Sequence, residues 1–348
     1  MSFGKMPIAN GFIEKKDFSK EFFFEMEVGF NEDLSLFQLN DHPKPEKMFN
    51  KNYPFFTGSS EYMKKHFKNY AKFAKKYIKD SSKIIEIGSN DGTFLKNFLD
   101  TGNKILGVEP SKSVADLSIK NNIPTLNNFF NKSNIKDLDE FLGKTDLICA
   151  SNVICHVPDL NDLIESVDLL LNKEGTFIFE EPYLGSMFEK TSYDQIYDEH
   201  IFMFSASSIS KIFQRYNFYL IDAIPQLTHG GSMRYVIKRK KSNIGEDLKK
   251  VFDYEINKKL NRLESCLDFK KNCEVSRQKI IEKVKFFKET GKSICGYAAT
   301  SKSTTILNYC KIGTNYIDYI CDTTKEKIGK YSPGMHIPIK DINYFHNN

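Results

Sequence analysis

The chain has 348 residues, 40% of them hydrophobic and 27% charged, a length and balance that suit a folded protein of more than one domain with a sizeable core. Its 50 basic and 45 acidic residues leave a formal net charge of +5 but are interspersed along the whole length, which argues for a solvated surface and against a nucleic-acid partner. No run approaches the ~18 apolar residues of a membrane span, and the first residues lack an apolar signal core, so no membrane association and a cytoplasmic location are expected.

Residues 1–60 carry short apolar clusters broken by charge and proline, such as Phe22-Phe23-Phe24 and Leu34-Ser35-Leu36-Phe37, and are expected to form a small β-rich lobe. The turn-rich aromatic patch from Asn52 and Tyr53 to Ser60 reads either as a lid over a ligand or as a core-packed connection. Helical periodicity follows from Glu61 to Ile78, with Ser59 or Ser60 placed to cap it.

From Lys83 to about Ile224 strand and helix patterns alternate, as in a parallel sheet covered on both faces. Strands are expected at 83–88, 104–109, 123–126, 146–151, 175–180 and around 218–223. The first leads into a turn bounded by Gly88 and Gly92 with Asn90 and Asp91 inside it, and Phe94, Leu95 and Phe98 give the next segment an apolar face. Glu109 stands 21 residues after Gly88, at the end of the second strand, where a carboxylate can accept both hydroxyls of a ribose. The turn is not G-x-G-x-x-G and lacks the glycine that lets a pyrophosphate approach a helix N-terminus. It is similar instead to motif I of S-adenosylmethionine-dependent methyltransferases, although a plain strand-to-helix connection would carry the same glycines.

Polar residues recur at the ends of the following strands: Ser151, Asn152 and His156 after the fourth, Glu180 and Glu181 after the fifth. That is the rim where open α/β sheets bind ligands. Between the last two strands, Tyr197, Glu199 and His200 crowd into an otherwise aromatic and apolar run, either as satisfied core residues or as a proton-transfer group. His229-Gly230-Gly231-Ser232-Met233-Arg234 allows the backbone to approach a substrate, with His229 and Arg234 as candidate contacts; an ordinary hairpin turn would look the same.

A charged, helix-periodic connector spans 241–290. After Gly291 a second strand-loop-helix begins, in which Thr300, Ser301 and Lys302 stand at a helix start and offer an anion site. The strand Tyr316–Asp322 again ends in an acid, so residues 291–348 read as a second Rossmann-like unit. The seven cysteines form no C-x-x-C pair and none precedes Cys149; they read as reduced core residues, with no metal site expected.

Five motifs taken in order resemble the C-methyltransferases of deoxysugar biosynthesis: Glu86 to Gly92, Tyr193 to His200, His229 to Arg234, Gly296 to Lys302, and Gly329 to Pro338. The likeness runs from about Gly4 to Ile339. It implies a three-part α/β enzyme: an N-terminal lobe (1–60), an S-adenosylmethionine domain of Rossmann-like fold (61–240) and, beyond the connector, a Rossmann-like substrate domain (291–348) holding a nucleotide-linked 4-keto sugar. It implies the cofactor at Gly88, Asn90, Asp91, Gly92, Glu109, Asn152 and Tyr53, and His200 as the base. Tyr197, Glu199 and His156 would orient the base or polarise the ketone, and Thr300, Ser301 and Lys302 would meet the diphosphate. The sequence departs from the family in lacking its N-terminal zinc cysteines and in stopping short of its usual C-terminal length. Sugar O-methylation and non-catalytic binding of cofactor or nucleotide-sugar are the competing readings.

Overall fold

The structure is a computed structural model and describes residues 1–48, 57–242 and 244–347. Strands β1 (Ser2–Pro7), β2 (Phe23–Asn31) and β3 (Leu36–Leu39) form an antiparallel meander. Along β2 the side chains alternate, Met26 and Val28 buried, Glu25 and Glu27 exposed, the period of two that gives a sheet one dry and one wet face.

The central sheet contains β4 (Lys83–Ile87), β5 (Lys104–Val108), β6 (Thr125–Leu126), β7 (Thr145–Ser151) and β8 (Leu171–Pro182). These run parallel to one another, and Ile84, Ile85 and Ile87 are all buried because helices cover both faces. β9 (Phe202–Met203) instead joins β3 and closes the N-terminal sheet. Strands β10 (Tyr219–Gln226) and β11 (Ser232–Lys238) complete a seven-stranded sheet of order β10-β11-β8-β7-β4-β5-β6. The strands expected between 83 and 223 all run in one direction; β11, which follows them, is antiparallel to both β8 and β10. The turn at 228–231 is too short to carry the chain back for a parallel strand, so it can only close a hairpin.

Ser60 caps the helix Glu61–Ala74 by accepting from the Met63 amide. That helix covers one face of the sheet, where Phe67, Tyr70, Phe94, Leu95 and Phe98 pack over Ile84, Leu147, Ile178 and Val236. Each such side chain contributes about 1.5–3 kcal/mol by burial. Phe94, Leu95 and Phe98 are buried as the sequence pattern requires, but Leu95–Thr101 winds as a 3-10 helix.

The connector is a helical pair, Glu246–Asn257 and Leu263–Glu289. It leads to a three-stranded parallel sheet of β12 (Cys295–Tyr297), β13 (Tyr319–Asp322) and β14 (Ile339–Asp341), with the helix Ser301–Cys310 after β12. Phe3, Met26 and Phe37 share one core cluster with Leu184, Tyr193, Phe269 and Tyr309, so the N-terminal sheet packs with the segment after β8, the second connector helix and the helix after β12. The seven cysteines are free thiols, all buried except Cys295. Among the described residues no helix is long and apolar enough to cross a membrane.

Candidate active site

In the central sheet the chain leaves β4 in one direction to build β5 and β6 and in the other to build β7 and β8. Where the direction reverses, the loops beyond the carboxyl ends of β4 and β7 diverge and leave a crevice. A cleft of about 710 Å³ opens there, lined by Gly88 from the first loop and by Ser151, Asn152 and Val153 from the second.

Gly88 has φ +63, and a Cβ on it would lie 2.3 Å from Cγ2 of Val153, so both its conformation and its neighbour require glycine. Glu109 reaches the same rim from β5. Its Oε1 accepts from the Ser111 amide at 2.8 Å and its Oε2 from the Asn90 amide at 3.0 Å, which fixes the carboxylate while leaving each oxygen a further lone pair. Burial raises its pKa, and the two amides oppose that rise. Beneath it, Glu86 is fully buried, and burial with the nearby Asp91 and Glu109 pushes its carboxyl well up, toward the protonated form.

Two of the expected turn residues shape the turn and do not line the cleft. Asp91 accepts from the Gly58 amide and the Thr93 hydroxyl, each at 2.6 Å, and Gly92 takes φ +79 against Ile123. Asn90 does both: it lines the cleft, and its side-chain oxygen accepts from the Thr57 amide at 2.9 Å. Tyr53 lies outside the described residues. Phe129, Phe130 and Asn131, which sequence reasoning passed over, form the wall beside Glu109 and Pro110; their signal was a short aromatic run just after a strand.

The opposite wall carries His156, Tyr197, Glu199, His200 and His229 together, from three separate segments. Nδ1 of His200 donates to the Gln195 carbonyl at 2.7 Å, which assigns the ring proton and leaves Nε2 as the acceptor. The Tyr197 hydroxyl donates to that Nε2 at 2.7 Å. Burial, with a smaller contribution from His156, holds the His200 pKa well below its ordinary value, so the ring is neutral. His156 stacks on it at 5.3 Å between centroids and is pushed down to about 3 by burial and by His229. The Asn152 side-chain amide donates to Nε2 of His229 at 3.1 Å; burial first, then Lys302, takes that ring down to about 4. Gln195, unremarked in the sequence, ties the wall together: its carbonyl holds His200 and its side chain donates to the His229 carbonyl at 2.6 Å.

Cys155, His156 and His200 offer one thiol and two imidazoles within 4.8 Å of one another. The two rings stack 24° from parallel, and burial, reinforced by Glu181, keeps the thiol protonated, which suits a packed trio better than converging ligands.

Thr300, Ser301 and Lys302 line the same cleft, with Lys327 beside them. Thr300 accepts from the Ser303 amide in a capping box, so its hydroxyl is committed to the helix start. Burial lowers the pKa of both lysines. Arg234, expected at the substrate, is corrected: it is not part of the cleft lining and lies on the face of β11 that the helix Glu61–Ala74 covers. There its guanidinium pairs with Glu180 at 2.5 Å and packs over the rings of Tyr70 and Phe73 at 4.4 and 4.8 Å. Strand parity explains this, since Met233 pairs with Glu181 and Arg234 with Glu180, which point to opposite faces.

Strand order, a glycine cradle that no Cβ could enter and a carboxylate fixed at the end of the second strand define the class: an S-adenosylmethionine-dependent methyltransferase. The family described as a methyltransferase domain matches residues 60–223, and that described as the C-methyltransferase C-terminal domain matches residues 227–348. The C-methyltransferase NovU of Streptomyces niveus is 25% identical over 344 residues, covering 97% of this chain and 82% of that protein. The second of these family models and this relative are both C-methyltransferases, the group that the five motifs resemble. Solved structures are more distant. The PH0226 protein of Pyrococcus horikoshii has a TM-score of 0.44 at 13% identity, covering 57% of this chain and 100% of its own. A possible histamine N-methyltransferase of Thermotoga maritima has 0.39 at 17%, covering 51% and 91%.

Proposed function

We propose that the chain methylates a carbon of a nucleotide-linked 4-keto deoxysugar, and that the Tyr197–His200 pair removes the proton beside the ketone. The observation that carries this reading is the pair's position. A phenol and a neutral imidazole, 2.7 Å apart, stand on the wall of the cleft whose other side is the cofactor turn. Transfer to carbon needs such a base, because a carbon acid is far weaker than a hydroxyl and must lose its proton as it becomes a nucleophile.

Glu109 would accept the ribose hydroxyls, Phe129 and Phe130 would flank the adenine, and Gly88, Asn90 and Asn152 would meet the amino-acid end. When bound, S-adenosylmethionine supplies an electrophilic methyl on a sulfonium. The Tyr197 hydroxyl covers Nε2 of His200, so the proton reaches the ring through the phenol: its oxygen takes the proton from the substrate carbon as its own passes to Nε2. Burial pushes the Tyr197 pKa well up, which disfavours a free phenolate and favours this concerted movement. His156 and His229 are neutral donors for the enolate oxygen. Ser301, Lys302 and Lys327, at the start of the helix after β12, suit the diphosphate, with Thr300 holding the helix start that presents them. Such a substrate accords with a cytoplasmic enzyme.

The test is to follow solvent deuterium entering the carbon beside the ketone. His200→Asn should slow exchange by about 10²–10⁴-fold; unchanged exchange removes the histidine from this role. Mass spectrometry of the wild-type product should place the new methyl on carbon, and a methyl on oxygen would sink the reading.

A further inference from the structure

Between β1 and the 3-10 helix Lys15–Lys20, the chain is hydrogen-bonded to the run that carries Tyr197 and His200. Asn10 lines the cleft and donates through Nδ2 to Oε1 of Glu199 at 2.6 Å. Its neighbour Ala9 donates its amide to Oδ1 of Asp198 at 2.8 Å, and the Ala9 carbonyl accepts from the Thr304 hydroxyl at 2.9 Å. Thr305 donates to the Ile196 carbonyl at 2.8 Å from the same helix. Residues 196–199 are therefore gripped from two directions. At 198–199 the grip comes from a segment that lies nearly two hundred positions earlier in the chain.

We propose that Asn10 is a positioning residue: its side-chain amide fixes the Glu199 carboxylate and thereby the orientation of the adjoining Tyr197–His200 pair. The proposal rests on the reading of that pair as the base. The amide-to-carboxylate bond is charge-assisted and short, and the carboxylate it holds is buried, so its loss releases the carboxylate to turn. Three further titratable groups press on Glu199: Asp198 and Tyr197 from its own segment and the Cys155 thiol from the loop after β7. Lys302 and Lys327 line the same cleft. A carboxylate so surrounded has several alternative partners once its amide donor is gone.

The test compares Asn10→Ala and Asn10→Asp with wild type. Four quantities are read: deuterium exchange beside the ketone without methyl donor, kcat and KM for methyl transfer, donor affinity by calorimetry, and the melting temperature. Asn10→Ala should lower exchange and kcat by about 10–100-fold, the scale of a misplaced catalytic group, with donor affinity and melting temperature unchanged. Asn10→Asp preserves shape but sets two carboxyl groups at hydrogen-bond distance, which share one proton. Its rate should approach wild type in acid and fall as pH rises, and Asn10→Gln should recover part of the loss. Unchanged exchange in Asn10→Ala, a loss of donor affinity and melting temperature in step with rate, or a flat pH response in Asn10→Asp each overturns the proposal. If wild type itself neither exchanges nor methylates a 4-keto nucleotide-sugar, the substrate reading has failed. The nitrogen resonances of the His200 ring then decide the role of Asn10: a shift in Asn10→Ala sustains it and an unchanged spectrum ends it.

Discussion

Glu180 and Glu181 are neighbours in the chain with opposite electrostatics. For Glu180, burial pushes its pKa up, but the His66 ring at 2.6 Å and the Arg234 guanidinium outweigh that and hold it below the usual carboxylate range. Glu181 faces the other way, and burial pushes it up to about 7 despite the Val153 and Ile154 amides on its Oε1. A carboxyl raised in this way keeps its proton in the folded state after the unfolded chain has lost it. Folding stability then falls as pH rises from about 4.5 to about 7, by about 3 kcal/mol in all. Glu181→Gln keeps an oxygen for the two amides and cannot ionise. Urea midpoints at pH 5 and pH 8 should therefore lie closer together in this variant than in wild type, with the gain on the alkaline side. The same one-residue parity explains the misplacing of Arg234: its nearness to His229-Gly230-Gly231 in sequence suggested the cleft, whereas alternation along β11 sends it to the opposite face.

At the level of elements, the turn after β4 shows what local pattern can specify. Its glycines, the apolar strand before it and the acid at the end of β5 were all legible, because each obeys a rule confined to a few residues. Gly88→Ala should weaken cofactor binding at least about tenfold, since it combines left-handed backbone strain of about 1–2 kcal/mol with a methyl pressed into Val153. The double variant with Val153→Ala relieves the second cost but not the first, so calorimetry should show partial recovery. Strand direction was not legible in the same way. The β10–β11 hairpin and the polar start of β8 at Leu171–Gly175 follow from pairing partners, and period-two alternation is identical in parallel and antiparallel strands. Gln195 and Lys327 escaped for a related reason: each enters the site through contacts that adjacency does not announce.

For the whole molecule, the site is a convergence of lobes. Thr304, in the helix after β12, holds Ala9; Ala9 holds Asp198; and Asn10 holds Glu199. Thr304→Val keeps the shape and removes the hydroxyl, leaving a buried carbonyl short of a donor. It should cost about 1–3 kcal/mol in a denaturation measurement and lower kcat without changing donor affinity. The hydrogen bond it removes joins residues 295 positions apart. During synthesis at about 5–20 residues per second, the opening segment must therefore wait many seconds for its anchor to emerge. Until then a nascent chain can complete the sheet and the turn proposed to hold the cofactor while the wall proposed to carry the base stays unbraced, so the capacity to bind the donor should arise on the ribosome well before the capacity to use it.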